Sequence, residues 1–310
     1  MARSFRPDIV LAGSGLAAPF AWCAARLAGA RLIVYVHGLD LIADYRIYRW
    51  FWLPFIRRAD LCIANSQHTA RLAGSIGVPN SHVVILHPGV ELPAEAMAPA
   101  DFRARFNLGE RPLLLSVGRV IARKGLLEFV EYALPQIAAE VPTVCLLIVG
   151  EEVPRLLHGT SVGLTERIRE RAAALDIAQH VLFLGPQDDA TLADAYRAAA
   201  VHVFPVLEVP NDVEGFGMVA VEAAAHGLPT VAFAVGGVPD AVADGVSGSL
   251  IPPADYLQLA RAVVERLRSP ADGNVRSSAR AFAWQFAWNR FGEKLRGLLR
   301  ERTIEASASQ

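Results

Sequence analysis

Ten short runs rich in Val, Ile and Leu recur along this chain, and most are followed by an alanine-rich stretch with helical spacing. A short apolar run bounded by turn residues is typical of a parallel strand that is buried on both faces. Strands that alternate with helices predict an α/β protein built on doubly wound parallel sheets. The runs are residues 8–13, 31–37, 61–65, 83–89, 113–118, 144–150, 181–185, 201–206, 230–235 and 248–253.

The strand pattern is interrupted once, by a proline-rich stretch without strand periodicity. A chain of 310 residues is long enough for two domains of about 100 to 200 residues each. We therefore expect a first domain over residues 1–92, a linker over 93–112 and a second domain over 113–278. Residues 279–310 predict a helix that packs back towards the first domain and ends in a polar tail.

The composition excludes several classes of protein. Apolar residues make up 53% and charged residues 20% of the chain, which indicates folded cores and not a disordered chain. Thirty basic and 31 acidic residues nearly cancel, so we expect no general attraction to nucleic acid. Cys23, Cys62 and Cys145 are unclustered and stand in apolar runs, which predicts buried thiols in a reducing compartment.

Two stretches bear on membrane contact. The N-terminus has Arg3 and Arg6 before an apolar run, as signal peptides do, but Asp8 opens that run and Pro19 breaks it. We therefore expect a cytoplasmic protein. Residues 45–58, YRIYRWFWLPFIRR, interleave aromatic residues with arginines. They predict either a helix half buried against the sheet or a segment in peripheral contact with the inner face of the cell membrane.

The strongest candidate anion site follows the fifth run. Ligands of open parallel sheets bind beyond the carboxyl ends of the strands. Gly118 ends this run, Arg119 follows, and Lys124 opens the next helical stretch. Two cations beside the N–H groups of a helix N-terminus suit a diphosphate, and a solvated basic turn is the alternative. Only Lys124 and Lys294 are lysines among the 30 basic residues, which favours a specific use of this compact charge.

Two glutamates frame the sequence EGFGMVAVE. Glu214 precedes a Gly-Phe-Gly turn, and Glu222 heads an alanine run eight positions later. Gly215 and Gly217 let the backbone approach a ligand, and a carboxylate accepts hydrogen bonds from two hydroxyls of a sugar or ribose. If the intervening residues were all helical, the carboxylates would lie about 12 Å apart, the reach from a sugar across a diphosphate to a ribose. A helix with two solvated glutamates is the alternative.

Three further features are candidate sites: a histidine at a strand end, a pair of aspartates and a glycine-containing turn. His37 ends the second run at the carboxyl edge of its sheet, where a structural role and a ligand role both stay open. Asp188 and Asp189 stand where a helix N-cap is expected, which we favour over metal binding. Residues 13–18, GSGLAA, match a dinucleotide fingerprint weakly, but the next strand lacks the acidic residue that binds ribose. We expect no metal and no cofactor.

Together, these motifs resemble the retaining glycosyltransferases of family 4. The resemblance implies the GT-B fold, in which two Rossmann-like domains face a cleft, the first on the acceptor side and the second binding a nucleotide-sugar donor. Family members begin with a strand and a glycine-rich loop that this chain lacks, so we expect a shortened first domain. The resemblance rests on HGLD (37–40), GR (118–119), KG (124–125), EGFGMVAVE (214–222), EAAAHGLP (222–229) and GGVPDAVADGVSG (236–248).

The resemblance also implies roles on the nucleotide side. Arg119 and Lys124, with Gly118, would bind the donor diphosphate, and Glu222 would bind the ribose. Positive charge and helix N-termini stabilise a leaving diphosphate, so no divalent ion would be required.

On the sugar side, the resemblance implies that Glu214 and the backbone of Phe216, Gly217 and Met218 hold the transferred hexose. His37 would reach the same sugar from the opposite domain. The residues with implied catalytic roles are Glu214, His37, Arg119 and Lys124.

The resemblance therefore implies a bacterial, retaining, metal-independent hexosyltransferase. Its donor would be a GDP- or UDP-hexose and its acceptor a glycan or lipid-linked molecule of cell-envelope synthesis. The runs EGFGMVAVEAAAHG and GGVPDAV resemble those of mannosyltransferases that act on phosphatidylinositol mannosides. Two alternatives stay open: a non-catalytic nucleotide-sugar-binding subunit, and a GT-B sugar-nucleotide epimerase or hydrolase. Turnover separates them, because a binder transfers nothing and an epimerase changes the sugar without an acceptor.

Overall fold

The computed structural model describes residues 7–93, 100–152, 163–269 and 273–308. Residues 94–99 of the expected linker and the last two residues of the expected polar tail lie outside this part of the chain. The chain divides into two compact units. The first comprises Met1–Gly89, Pro210–Phe216 and Phe286–Gln310, and the second comprises Val90–Val209 and Gly217–Gln285.

Each of the ten apolar runs contains a strand, so the strand pattern expected from the sequence is confirmed. The strands are β1 Ile9–Ala12, β2 Arg31–Val36, β3 Leu61–Ala64, β4 Val83–Ile85, β5 Leu113–Val117, β6 Cys145–Val149, β7 Val181–Gly185, β8 Val201–Phe204, β9 Thr230–Phe233 and β10 Gly248–Ile251.

Helices separate these strands. They are α1 Ala18–Ala28, α2 Leu39–Ile42, α3 Arg46–Phe51, α4 Leu53–Arg57, α5 Gln67–Ser75, α6 Ala100–Arg105, α7 Leu126–Glu128, α8 Leu134–Glu140, α9 Leu164–Ala174, α10 Asp189–Ala198, α11 Met218–Ala225, α12 Val238–Ala241, α13 Tyr256–Arg268, α14 Gly273–Ala283 and α15 Trp288–Ala308. A π-helical segment, Phe129–Ala133, joins α7 to α8. The N-cap predicted before α10 is confirmed, because the Asp188 carboxylate accepts a hydrogen bond from the Thr191 N–H at 2.7 Å.

Both sheets are parallel, as predicted. The first unit has the strand order β1-β2-β3-β4, and the second has the order β10-β9-β8-β5-β6-β7. In the second sheet the chain proceeds outward from β5 through β6 to β7, and then outward in the other direction from β8 through β9 to β10. The strand order therefore reverses between β5 and β8, and this switch point is where doubly wound sheets bind ligands.

The sheet of the first unit is covered on both faces, as a parallel sheet requires. One face carries Ile33, Leu61, Ile63 and Leu86, against which Phe291, Leu295, Leu298 and Leu299 of α15 pack. The other face packs against α1, α4 and α5 through a core that includes Val34, Cys62, Ile56 and Ala73. The C-terminal helix thus contributes to the core of the first unit.

Helix α11 lies close to its neighbours in the second unit because its side chains are small. Ala220, Val221, Ala223 and Ala224 are buried, and α11 packs against α14. Gly227 follows α11 with φ +74°, and a Cβ there would lie 3.3 Å from the backbone oxygen of Arg276. Small residues are therefore needed at this packing surface.

The prediction of three buried thiols is wrong for Cys23, which is exposed, whereas Cys62 and Cys145 are buried. Cys23 lies on the side of α1 that carries the exposed Phe20 and Leu27, so the apolar run does not indicate which helix face is buried. Burial raises the pKa of the Cys62 thiol to about 12.

Residues 45–58 form α3 and α4, with Tyr48, Leu53 and Ile56 buried. The prediction of a half-buried helical stretch is therefore confirmed. Across the described ranges, no helix is long and apolar enough to cross a membrane.

Candidate functional site

The loops at the switch point of the second sheet are built on glycines. After β5, Gly118 adopts φ +125° and donates its N–H to the Val149 oxygen at 2.9 Å. A Cβ on Gly150, which follows β6, would lie 2.0 Å from the Gly118 oxygen. Arg119 follows with an exposed side chain. The carboxyl ends of β5 and β6 thus approach each other through backbone alone, and the first cation of the predicted diphosphate site is solvent accessible.

The Lys-Gly pair expected at the diphosphate lies on the other side of the switch point, beside β8. Lys124 ends a 3-10 turn and Gly125 follows with φ +67°. A Cβ on Gly125 would lie 2.0 Å from the Pro205 oxygen. The Lys124 Nζ lies 4.6 Å from the centroid of the Phe204 ring at the end of β8. The turn is therefore fixed against β8, which determines where the lysine charge lies.

Glu222, the predicted ribose ligand, is on α11 and faces a buried phenol. The Tyr196 hydroxyl donates to Glu222 Oε2 at 3.1 Å. Burial raises the pKa of the Glu222 carboxyl, while the Tyr196 hydrogen bond and the Lys124 charge oppose that shift. Lys124 lies over the Phe204 ring, Phe204 contacts His202, and His202 contacts Tyr196, so a continuous set of ring contacts links Lys124 to the Tyr196–Glu222 pair.

Two histidines surround this pair. The His226 ring stacks on Tyr196 with centroids 4.9 Å apart, and its Nδ1 lies 2.9 Å from the Glu222 backbone oxygen. His202, on β8, is completely buried, and its Nδ1 lies 3.1 Å from Thr230 Oγ1. Burial, with the Lys124 charge, lowers the pKa of His202 to about 3. The ring of His202 is therefore neutral beside the lysine.

Helix α11 begins after the Gly-Phe-Gly turn, so the two glutamates do not share one continuous helix. The helix begins at Met218, after Gly217 with φ +104°. Glu214 precedes the helix, so the estimate of about 12 Å for a continuous helix does not apply. Glu214 and Phe216 belong to the first unit, and Gly217, Met218 and Glu222 belong to the second.

In the first unit, an aspartate organises the turn that carries His37. The Asp40 carboxylate accepts hydrogen bonds from the backbone N–H groups of Gly15, His37 and Gly38, at 2.9, 2.9 and 3.0 Å. The carboxyl ends of β1 and β2 are thereby joined. His37 is exposed, and its Nε2 lies 2.9 Å from the Gly13 oxygen. Because a carbonyl only accepts, Nε2 carries the proton and Nδ1 is left as an acceptor.

The segment 210–216 packs onto this turn. A Cβ on Gly215 would lie 2.0 Å from the His37 oxygen, and the Gly215 oxygen accepts from Thr69 Oγ1 at 3.4 Å. The buried Phe216 ring stacks on His87 with centroids 5.2 Å apart. The backbone that follows Glu214 is thus held beside His37.

The structure therefore groups the predicted residues in two sets. His37, Glu214 and Phe216 lie in the first unit, and Gly118, Arg119, Lys124, Gly217, Met218 and Glu222 lie in the second. The sequence interpretation missed Asp40, Tyr196, His202 and His226. Asp40 and His226 could have been found, because they stand inside the HGLD and EAAAHGLP motifs, but Tyr196 and His202 stand in an ordinary helix and strand and carry no local signal.

Comparison with known proteins identifies the family to which this chain belongs. Residues 111–269 match the family model described as Glycosyl transferases group 1, and residues 1–93 match the one described as Glycosyltransferase Family 4. The D-inositol 3-phosphate glycosyltransferase of Geodermatophilus obscurus is 37% identical over 241 residues, which are 74% of this chain and 51% of that protein. This chain thus spans about half the length of that relative.

A second relative is matched over more of its length. The GDP-mannose-dependent alpha-(1-6)-phosphatidylinositol monomannoside mannosyltransferase of Mycolicibacterium smegmatis is 33% identical over 313 residues, 94% of this chain and 76% of that protein. Among solved structures, Anabaena HepE in complex with UDP has a TM-score of 0.82 at 21% identity, covering 97% of this chain and 80% of that chain.

Two parallel-sheet α/β units, the second of them doubly wound, are the fold of the GT-B class of glycosyltransferases. Within that class, this chain belongs to glycosyltransferase family 4.

Proposed function

We propose that this protein is a retaining hexosyltransferase whose second unit binds a nucleotide-sugar donor at the β5–β8 switch point. The observation that carries the proposal is the placement of two groups at this switch point: Lys124 lies over the Phe204 ring of β8, and Glu222 accepts a hydrogen bond from the buried Tyr196 hydroxyl. A fixed cation suits a diphosphate, and a nearby carboxylate with one oxygen already hydrogen-bonded suits a ribose diol.

The proposed chemistry needs charge stabilisation more than a protein base. Arg119 and Lys124 would stabilise the diphosphate as the bond between the sugar carbon and the phosphate oxygen breaks. The acceptor oxygen would bond to the same face of that carbon, and its proton would pass to the departing phosphate oxygen. Glu214 and His37 would hold sugar hydroxyls, with the His37 ring oriented by the Gly13 oxygen.

We propose that the reaction needs no divalent ion, because the two cationic side chains can balance the diphosphate charge. In the ranges that the structure describes, no group of three or more His, Cys, Asp or Glu side chains could hold a metal ion. Titration with and without EDTA, described below, tests whether nucleotide binding requires a metal ion.

The donor and acceptor are proposed by class. One relative is named GDP-mannose-dependent and the HepE crystal contains UDP, so a GDP- or UDP-hexose is proposed without a choice of base. The same relative is named for a phosphatidylinositol monomannoside, which supports a lipid-linked or glycan acceptor of the cell envelope. The reaction would take place on the cytoplasmic side.

Calorimetric titration with UDP, GDP, ADP and their hexose conjugates, with and without EDTA, tests this proposal. We expect one base to bind tightly, and binding to survive chelation. Binding that disappears with EDTA would contradict metal independence. If none of the three nucleotides binds, the proposed donor site is wrong.

Turnover then separates the alternatives. A transferase forms a glycoside with an added lipid-linked or glycan acceptor, and NMR of the anomeric proton reports whether configuration is retained. Donor binding without any product would identify a non-catalytic binding subunit. A changed sugar released without acceptor would identify an epimerase, and free hexose would identify a hydrolase.

A further inference from the structure

Helix α3 presents apolar side chains to solvent where a helix of a soluble protein carries polar ones. The exposed fractions of Ile47, Trp50 and Phe51 are 71%, 81% and 61%. These positions are i, i+3 and i+4, so they form one continuous stripe on the helix. Tyr48, on the adjoining face of the helix, is buried. The amphipathic pattern of α3 therefore has a second apolar face that no described residue covers.

The outward direction of this stripe is fixed by the packing of its inner side. The Tyr48 hydroxyl donates to the Asp40 backbone oxygen at 2.7 Å, and its ring stacks on Trp52 with centroids 6.0 Å apart. The Trp52 Nε1 donates to the Leu16 oxygen at 3.0 Å. Rotation of α3 to turn Trp50 inward would break these contacts, so they fix the direction in which the stripe faces.

Arginines surround the apolar stripe. Residues 44–58 contain four arginines and one aspartate, a formal charge of 4 − 1 = +3 in a chain of net charge −1. Among the described residues, Arg57 makes no hydrogen bond or ion pair, and Arg49 pairs with Asp44 at 3.3 Å across a largely exposed contact. An exposed pair of this kind is weak, so Arg49 can exchange its partner for another anion.

A polar cleft of about 710 Å³ adjoins the stripe inside the first unit. Arg49, Trp50, Arg57, Ser75 and Asn211 are among its lining residues. The Asp44 carboxylate also lines the cleft and pairs with Arg49, so the two guanidinium groups leave the cleft with an excess positive charge. Such a charge suits a phosphate, which Arg binds through paired hydrogen bonds. The anion-binding groups and the apolar stripe are therefore adjacent.

We propose that the α3 surface, defined as Ile47, Trp50 and Phe51 with Arg46, Arg49 and Arg57, docks on an anionic lipid bilayer. The aromatic and aliphatic side chains enter the interface while the arginines and the cleft meet phosphate headgroups. A second copy of this chain fits less well, because two surfaces of charge +3 would face each other. This docking does not depend on the proposed sugar transfer, so either can fail alone.

Flotation of the full chain with vesicles tests the docking. We expect flotation with vesicles of phosphatidylcholine and phosphatidylglycerol, weakened by salt, and little with phosphatidylcholine alone. The Ile47→Ser/Trp50→Ser/Phe51→Ser variant should bind at least about tenfold more weakly, since each buried side chain of this size contributes more than that factor when fully buried. Arg46→Gln and Arg57→Gln should each weaken binding about fivefold.

The matched control is Tyr132→Ser/Leu257→Ser, which removes two half-exposed apolar side chains from the second unit. It should float as the unaltered chain does. Should the triple variant fold poorly, quenching of tryptophan fluorescence by bromine-labelled lipid replaces it, and Trp50→Phe should lose most of the quenching. Flotation of the triple variant equal to that of the unaltered chain would overturn the proposal. The proposal would also be overturned if the unaltered chain did not bind anionic vesicles. A dimer of the unaltered chain that the triple variant abolishes and the control variant keeps would overturn it as well.

Discussion

At the scale of single residues, Lys124 is the cation of the candidate donor site whose position the fold fixes. Lys124 is held by a 3-10 turn, lies over the Phe204 ring, and acts electrostatically on both Glu222 and His202. A compact ammonium group in that position can serve a diphosphate as a point charge. Its contribution is separable from the fold, because its side chain is only partly buried.

Replacement of Lys124 by alanine should weaken nucleoside diphosphate binding by about 1 to 3 kcal/mol, the range for a charged hydrogen bond. Isothermal titration with the preferred diphosphate measures the change. Lys294→Ala is the matched control, because Lys294 is the other lysine of the chain and is exposed on α15. Equal affinities of the two variants would remove Lys124 from the diphosphate site.

Glu222 illustrates a conflict between stability and binding. Burial raises its carboxyl pKa, so the ionised form is disfavoured in the folded protein. This destabilisation is present at a pH above the raised pKa and disappears as the pH falls below the ordinary value of 4.5. Glu222→Gln should therefore raise the Tm at neutral pH while it weakens binding of both nucleoside and nucleotide.

Calorimetry of both properties checks this expectation, with the exposed Glu265→Gln on α13 as the control. A Glu222→Gln variant that loses affinity only for the intact sugar donor would show that the ribose binds elsewhere. A lower Tm would show that the ionised carboxylate stabilises the fold.

At the scale of secondary-structure elements, the turn between β5 and α7 fits against β8 only because Gly125 lacks a side chain. Gly125→Ala should lower the Tm and abolish nucleotide binding, because its Cβ would lie 2.0 Å from the Pro205 oxygen. Gly245→Ala shares the positive φ, +73° against +67°, but has no atom within 4 Å of the added Cβ. Both variants place alanine at a positive φ, so the difference between their Tm values measures the steric clash alone. Equal losses of Tm would show that the clash with Pro205 is not the cause.

The buried His202 of strand β8 should make the free energy of unfolding of the second unit depend on pH in the acid range. The pKa of His202 is about 3 in the folded protein, against an ordinary value of 6.5. A base with a lowered pKa binds protons mainly in the unfolded state, so stability is lost as the pH falls below 6.5. The loss should reach about 2 kcal/mol near pH 5.

Chemical unfolding as a function of pH tests this expectation. His202→Asn should flatten the dependence between pH 6.5 and about pH 5, whatever its effect at neutral pH. The exposed His82→Asn serves as the control and should leave the slope unchanged. An unaltered slope in His202→Asn would show that another group titrates.

At the scale of the whole molecule, the first unit is assembled from three separate stretches of the chain. Leu295 of α15 packs on the β2–β4 face of that unit. Leu295→Ala should speed amide exchange in β2 to β4 and leave β5 to β9 unchanged, measured by hydrogen exchange and mass spectrometry. Arg296→Ala, exposed on the same helix, is the control. Faster exchange in both units would show that they unfold together.

Much of the fold could be predicted because each strand has a recognisable pattern in the local sequence. A buried parallel strand needs a short apolar run, so all ten strands were found from composition and turns alone. The GR, KG and EGFG motifs were equally visible, since a backbone that must approach another chain or a ligand requires glycine. The exposure of Cys23 was not visible, because the apolar run around it does not say which helix face is covered.

The sequence by itself therefore determined the α/β class, the strands and the candidate anion and sugar residues, all of which depend on near neighbours in the chain. Only the tertiary structure decided that the Tyr196 hydroxyl donates to Glu222, which is 26 residues away in the chain. It likewise decided that Gly215 packs on the turn of His37, where its oxygen accepts a hydrogen bond from Thr69, 146 residues away. Such contacts arise when strand order brings remote loops to one sheet edge. That order is set by packing of the whole chain and leaves no local pattern to read.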